Sequence, residues 1–479
     1  MNASVSQSSD KPVIVIFRED LRLRDNQALN AAAASGRPLI PVFLFDTQSM
    51  ADQHGSAWRW WLHHSVAALS DALDKLGGRL ILRSGPHADA VDALIAETGA
   101  HAVHWNRRYH PNAMACDAAL KSALRERRID AQSHGGQLLH EPSLLKTGSG
   151  GAFRVFTPFW NALQALDDFG TPLPSPERLL FADAAPQSEN LGDWGLLPTA
   201  PDWAEPIDEA WTPGEAAALD LLDEFAGGAL KGYARQRDFP ADPATSRLSP
   251  YLAHGEISPR TVWHRIRRAS GDTTAFLREL AWREFSYHLL ADNPELGRTN
   301  ADPKFDAMAW RNDPAALRAW KKGRTGIPIV DAGMRQLWQT GWMHNRVRMI
   351  AASLLIKHLL IDWREGERWF ADTLVDADPA NNAASWQWVA GTSPHGAPFF
   401  RVFNPVLQGR KFDAKGDYVR AFVPELAGLD DKVLQEPWQA PSALDAAGVA
   451  PDSPYRRPLV ELAGGRDRAL AAFKALSAR

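Results

Sequence analysis

Cysteine is nearly missing, since Cys116 is the only one in 479 residues. That excludes a disulfide within the chain, a cysteine zinc site and an iron–sulfur cluster. Tyrosine is scarce as well, with six residues against nineteen tryptophans, more than half of the latter beyond residue 280. No apolar run approaches the length that spans a bilayer. The N-terminal M-N-A-S-V-S-Q-S-S-D-K lacks an apolar secretion core, so the expected compartment is the cytoplasm. Positive charge is not in excess: 53 Lys and Arg face 57 Asp and Glu, a net charge of −4. This argues against a polybasic nucleic-acid binder and leaves room for a local basic patch. Neither G-x-G-x-x-G nor a Walker A run occurs, so dinucleotide and NTP sites of those kinds lack motif support. Internal repeats and low-complexity tails are absent too.

What is present divides the chain by period. Residues 13–17 (V-I-V-I-F) and 39–45 (L-I-P-V-F-L-F) are continuous apolar runs, as strands buried on both faces should be. Weaker runs follow at 79–82, at 101–105 and near Ile129. Alanine-rich helical patterns separate them, at about 26–35, 56–76, 87–98 and 112–127. This rhythm predicts βαβ units in a doubly wound parallel sheet of the Rossmann or flavodoxin type. Such a sheet takes ligands beyond the carboxyl ends of its strands. Prolines from Pro142 to Pro213 then break the pattern into a long connector. Past Glu215 the chain reads as helix, at about 215–227, 259–270, 273–291, 314–321, 328–339, 343–361, 365–374 and 379–389. The expected organisation is α/β plus all-α: an α/β domain over 11–140, an interdomain linker over 141–214 and an all-helical domain over 215–479.

Chemistry-bearing residues crowd the stretch Trp363–Pro405, where Asp376 and Asp378 precede Asn381 and Asn382, a small-residue run, and Trp386 and Trp388 about one glutamine. Small residues let a flat ligand approach the backbone, and the amides and carboxylates can fix the polar edge of a ring. A helix cap followed by core aromatics is the plainer account of the same residues. Three further clusters stand in the helical half. Tyr233, Arg237 and the turn Thr245, Ser246, Arg247, Leu248, Ser249 could cradle a phosphate or merely cap a helix. Glu279, Trp282, Arg283 and Ser286 share the i, i+3, i+4, i+7 spacing of one helix face, suited to a planar hydrogen-bonding guest or to solvent. Trp342, Asn345, Arg346 and Met349 repeat that spacing, and His344 beside them reads as a structural histidine. No metal site is expected.

Eight segments then fall in order: F-R-E-D-L-R-L-R-D-N-Q-A-L, T-S-R-L-S-P, E-L-A-W-R-E-F, G-I-P-I-V-D-A-G-M-R-Q-L, G-W-M-H-N-R-V-R-M, D-W-R-E-G-E-R-W-F, N-N-A-A-S-W-Q-W and F-F-R-V-F-N-P-V-L-Q-G-R-K-F-D. From residue 17 to about 425 the chain resembles the cryptochrome/photolyase family, most of all a class I cyclobutane pyrimidine dimer DNA photolyase. That resemblance implies light-driven DNA repair by a deoxyribodipyrimidine photo-lyase, with FAD, reduced in the active form, bound in the helical domain. It gives Tyr233, Thr245, Ser246, Arg247, Leu248, Ser249, Phe276, Asp376, Asp378 and Asn382 to FAD, with Asn382 beside the flavin N5. Phe276 stands where a tryptophan is usual. Glu279 would hydrogen-bond the dimer's carbonyl edge, Trp282 and Trp388 would stack on it, and Asn345 and Met349 would lie against it. Arg237 and Arg346 would grip phosphates, with Arg283 and Arg401 on the DNA side and a basic rim including Arg348, Arg410 and Lys411. Trp386, Trp363 and Trp310 match the family's electron-hopping chain.

Departures from the family pattern bear on the rest. Glu19 replaces an arginine. Ala113 stands where folate-binding members carry a glutamate, which leaves the second, antenna chromophore open between folate, a deazaflavin, another flavin and none. His395 marks an altered loop expected near DNA. A signalling cryptochrome is the first alternative. Asn382, the retained Glu279, Trp282 and Asn345, and the lack of a long extension before Arg479 argue against it. A six-four photolyase would want a histidine pair where Trp342–Met349 stands. Damaged DNA is the expected partner, and a monomer the expected state.

Overall fold

Apolar runs bounded by turn residues become strands. In the computed structural model, which describes residues 11–48, 55–166, 168–183, 186–393, 396 and 398–477, they are β1 (Val13–Phe17), β2 (Leu39–Asp46), β3 (Ile81–Gly85), β4 (Ala102–Asn106) and β5 (Asp130–His134). All neighbours pair in parallel in the order β3-β2-β1-β4-β5, with Val13 opposite both Leu39 and Ala102. The order reverses direction at β1, as in doubly wound sheets. Helices α1 (Gln27–Ala34), α2 (Ser56–Asp74), α3 (His87–Thr98) and α4 (Pro111–Glu126) make the crossovers. Asn26 caps α1 by accepting from the Leu29 amide, and Gly99 ends α3 in the left-handed region at φ 65°. Ile14, Ile16, Val42, Leu44, Val103 and Trp105 form one core with Val91, Leu94, Leu120 and Leu124.

Packing groups the chain into two compact units, one of 1–153, 157–231 and 246–294, the other of 154–156, 232–245 and 295–479. The expected boundaries at 140 and 214 follow a change in secondary-structure type, whereas the first unit holds helices from beyond both of them, including Pro259–Arg267 and Thr274–Asp292.

The connector also has work in the first unit. Glu189 donates its amide to the Leu82 carbonyl at 2.9 Å and accepts from the Ser84 amide on Oε1 at 2.9 Å. The connector therefore covers the open edge of β3, which would otherwise invite pairing with another chain. A helix unforeseen in the sequence, Phe156–Ala165, sits within it, and Phe159 packs on Phe285 at 5.1 Å. Its proline lies in the first turn, where no amide donor is needed.

The motif F-R-E-D-L-R-L-R-D-N is a clasp. The buried Arg22 guanidinium donates to the carbonyls of Gly255 (2.7 Å), Gly136 (2.8 Å) and Asp25 (3.2 Å). The buried Asp25 carboxylate accepts from Ser258 and Arg260. Glu19 accepts from Gln137 Nε2 at 2.7 Å, a structural task.

In the second unit the expected helices stand at Pro314–Lys321, Pro328–Thr340, Asn345–Ser353, Trp363–Thr373 and Pro379–Ala390. The expected 343–361 helix becomes α-helix to Ser353 and then one π-helical turn, Leu354–His358. That turn aims the buried Lys357 at the Ala390 carbonyl (Nζ–O 2.6 Å), where it caps the carboxyl end of Pro379–Ala390. Helices beyond residue 390, such as Pro405–Phe412 and Leu462–Ser477, were not foreseen.

Candidate active site

In the second unit the site residues are set by three helices and one turn. Arg348 donates to Asp376 Oδ2 at 2.8 Å and to the Met343 carbonyl at 2.7 Å. It therefore holds Asp376 and leaves the basic rim in which the sequence placed it. Asp378 caps Pro379–Ala390 by accepting from the Asn381 amide at 2.8 Å, so the plain capping account of this stretch holds alongside any other role.

One turn on, Asn382 Nδ2 donates to the Glu367 backbone carbonyl (3.0 Å) and to Glu367 Oε1 (2.9 Å). A carbonyl oxygen only accepts, so the amide can face only one way, and its Oδ1 is left for another donor. Burial pushes the Glu367 carboxyl up to about 7, against the pull of Asn382 and Arg368. The sequence reading passed over Glu367 because it sits fifteen residues away on another helix.

Trp386, a further turn on, is buried, with Phe370 at 5.0 Å and Trp320 at 6.2 Å as ring neighbours. Gly366 allows that seat, since a Cβ there would lie 2.1 Å from the indole Cη2. Gln387 is structural: it donates to the Leu296 and Thr299 carbonyls and accepts from the Ala301 amide. Trp363 is fully buried and donates to Asn300 Oδ1 at 2.9 Å. Trp310 is half-buried against the cluster of Phe305, Phe399 and Phe473, and Trp388 is half-buried.

Asn345 opens its helix exposed, with Arg346 and Met349 half-buried. His344 caps that helix by accepting the Arg346 amide on Nδ1 (3.2 Å), and burial brings its ring down to about 4. The histidine thus has a capping task on Nδ1, while its Nε2 is buried with no hydrogen-bond partner among the described residues. Gln336 Oε1 anchors the turn by accepting from the His344 amide (3.2 Å) and the Tyr418 hydroxyl (2.7 Å). Arg346 pairs with Asp238 at 2.8 Å and lies over Phe412 at 4.6 Å, while Arg237 lies over the buried Tyr233 at 5.4 Å. Arg401 is exposed, Arg410 pairs with Glu436 at 2.9 Å, and Lys411 sits over Phe412. His395 lies outside the described residues. Thr245 is half-buried.

In the first unit, helix Thr274–Asp292 separates residues that spacing alone had grouped. Glu279 and Trp282 are half-buried on one face, Trp282 edge-on to Phe285 at 5.7 Å. Phe276 is buried against Phe225 at 4.8 Å. Arg283 turns inward to the Gln137 carbonyl (2.9 Å) and Glu284 (3.2 Å), and Ser286 bonds back to the Trp282 carbonyl. Position i+4 shares a face with i on a helix, but the Arg283 guanidinium is spent on these partners, so Arg283 is structural rather than DNA-facing. In the turn at Ser246–Ser249, Leu248 is core, while Arg247, at φ 53°, stacks on Trp211 at 4.0 Å. Ser246 is half-buried there and Ser249 exposed.

The first unit also holds a cavity of ≈ 420 Å³ beyond the carboxyl ends of β4 and β5, lined by Trp105, Tyr109, Asp117, Lys121, Lys146 and His288 among others. His288 Nε2 accepts the Phe153 amide at 2.9 Å, which leaves the hydrogen on Nδ1, and Nδ1 is buried with no hydrogen-bond partner among the described residues. Burial, then Lys146, lowers the ring to about 4, so it is neutral. Asp117 Oδ2 is likewise buried and unmatched. Burial alone would raise this carboxyl, yet Arg18 and Arg108 hold it below its ordinary value. The cavity thus has aromatic and charged walls, Trp105 and Tyr109 beside Asp117, Lys121 and Lys146. Ala113 is buried in α4.

Among the described residues no helix is long and apolar enough to cross a membrane, and no three His, Cys, Asp or Glu stand where they could hold a metal ion.

Residues 13–177 match the family model described as DNA photolyase, and residues 276–475 the one described as FAD binding domain of DNA photolyase. The chain is 57% identical to a deoxyribodipyrimidine photo-lyase of Agrobacterium fabrum, over 97% of this chain and 98% of that one. It is also 37% identical to Cryptochrome-2 of Arabidopsis thaliana, over 96% and 78%. A crystal structure of a bacterial class III photolyase from Agrobacterium tumefaciens superposes with a TM-score of 0.96 at 56% identity, covering both chains in full. The class I likeness drawn from the motifs is corrected by that structure to class III.

Proposed function

The chain belongs to the DNA photolyase/cryptochrome family and carries its FAD-binding domain, and from that premise we propose that it repairs cyclobutane pyrimidine dimers in DNA under blue or near-UV light. The observation that carries the reading is Asn382, whose amide is held by Glu367 so that a carbonyl oxygen is left to receive a donor. A reduced flavin ring presents N–H donors, and the residues fit FAD in this respect. When bound, FAD supplies the one-electron chemistry: an electron lent to the dimer, both cyclobutane bonds broken, and the electron returned. The chain's part is to hold and orient. Tyr233, Thr245, Ser246, Ser249, Phe276, Asp376, Asp378 and Asn382 are assigned to FAD. Glu279 hydrogen-bonds the dimer, Trp282 and Trp388 stack on it, and Asn345 and Met349 line it. Arg237, Arg346 and Arg401 meet phosphates, and Trp386, Trp363 and Trp310 pass electrons inward. Flipping a base pair out has an energetic cost of a few kcal/mol, least for a lesion already distorted, which favours damage without sequence readout.

We assign the cavity in the first unit to a second chromophore. A flat heterocycle suits the walls of Trp105 and Tyr109, and Lys121 and Lys146 suit an anionic tail. Residues 11–140 would then serve light capture and 215–479 repair.

Purified protein should restore dimer-containing oligonucleotides in light and leave them unchanged in the dark. Glu279→Ala should lower the repair yield at least tenfold with FAD content unchanged, because a transition-state hydrogen bond is lost. Loss of FAD and repair in equal measure would refute the role of Glu279. Repair of six-four lesions in place of dimers would refute the substrate. Trp386→Phe should block photoreduction, followed by absorbance, while sparing repair after chemical reduction.

A further inference from the structure

Arg346 does not wait for DNA with an open charge. Its Nη2 lies 2.8 Å from Asp238 Oδ1, its guanidinium rests on Phe412 at 4.6 Å, and its Nε is buried with no hydrogen-bond partner among the described residues. Phe412 fixes the plane of the fork and Asp238 fixes its rotation about that plane. Both side chains are partly wet, 19% exposed for Arg346 and 32% for Asp238. An ion pair at such a site is weak, because water screens it and both side chains must be held still. It is strong enough to orient Arg346 and weak enough for a phosphate, two of whose oxygens can accept from the same guanidinium fork, to replace. The carboxylate meanwhile cancels the charge that an approaching duplex would feel.

We propose that Asp238 is an internal counter-ion that holds Arg346 back from DNA, a stand-in for the phosphate that lowers affinity for undamaged duplex. This rests on the reading that Arg346 meets a phosphate. Phosphate contacts carry no information about the base, so every unrestrained arginine strengthens binding to intact and damaged DNA alike. An acidic neighbour that must be displaced keeps the sequence-independent part of binding small, and the flipped lesion then supplies more of the total.

The test uses the FAD-loaded protein and an undamaged duplex, with affinity measured over a range of salt concentrations. Asp238→Asn keeps the shape and removes the charge. It should bind several-fold more tightly at low salt, with the slope of log affinity against log salt steeper by about 0.9, one more phosphate neutralised. Arg346→Gln should make the slope shallower by a similar amount. If Arg346→Gln lowers the slope while Asp238→Asn leaves slope and affinity unchanged, the counter-ion proposal is overturned and the phosphate reading survives. If Asp238→Asn weakens binding, Asp238 positions Arg346 for DNA, and the proposal is again overturned. If Arg346→Gln changes nothing, the phosphate reading falls and takes the proposal with it.

Discussion

Gly255→Ala is expected to destabilise the protein by about 3–5 kcal/mol, the sum of a left-handed residue without glycine's freedom and a backbone clash. Gly255 has φ +69°, and a Cβ built on it would sit 2.0 Å from the Glu19 carbonyl oxygen and 2.7 Å from Asp20 Cα. Neither neighbour is a flexible side-chain end. The loop that would have to move is the one whose Arg22 donates to Gly255's own carbonyl at 2.7 Å. Relief at one contact would therefore open another, and three buried donor–acceptor pairs at Arg22 hang on the result. Gly36 is the control: its φ is +68° and nothing lies within 4 Å of the Cβ it would gain. Gly36→Ala should lose only about 1–2 kcal/mol, for the dihedral alone. Urea unfolding of both variants separates the clash from the backbone term, and equal losses would show that the close approach contributes nothing.

The sheet was legible because a strand buried on both faces must be apolar at every position, and little besides a short buried helix shares that pattern. Val13–Phe17 and Leu39–Asp46 are such strands, and they appear within a residue of where the runs end. The connector was read as structureless because its pairing uses single groups, the Glu189 amide and carboxylate, which have no period. Within the candidate site, spacing found the right helices and could not tell inside from outside. Glu279 and Arg283 are four residues apart, yet one is half-buried and the other serves Gln137. Arg346 and Arg348 are two apart, and each is claimed by a different carboxylate, Asp238 and Asp376. Partners of this kind come from segments distant in sequence, so a linear motif can name a cation and miss the acid that restrains it. The cavity is the extreme case: its lining runs from Trp105 to Asp292, drawn from segments far apart in the sequence.

Glu367→Gln should remove a pH dependence of stability that the parent protein carries. Burial raises the Glu367 carboxyl from 4.5 to about 7. The folded state therefore binds a proton more tightly than the unfolded chain, and stability is full below 4.5 and falls as pH rises toward 7. That displacement corresponds to about 3 kcal/mol, lost once the carboxyl is ionised in its buried seat. Glutamine mimics the protonated acid at all pH values and still offers Asn382 Nδ2 an acceptor. Parent and variant should match near pH 5, and the variant should be more stable by up to about 3 kcal/mol at pH 8.5. Glu256, Glu284 and Asp331 are raised by burial in the same direction, but they are common to both proteins and cancel in the difference. Glu367→Ala separates the second task of the residue: the Asn382 amide keeps its facing on the backbone carbonyl but loses the second of its two anchors, and FAD retention after gel filtration should fall while the unfolding curve at pH 8.5 gains. Parallel stability curves for parent and glutamine variant across pH 5 to 8.5 would mean that Glu367 is already ionised, held by Arg368 rather than governed by burial.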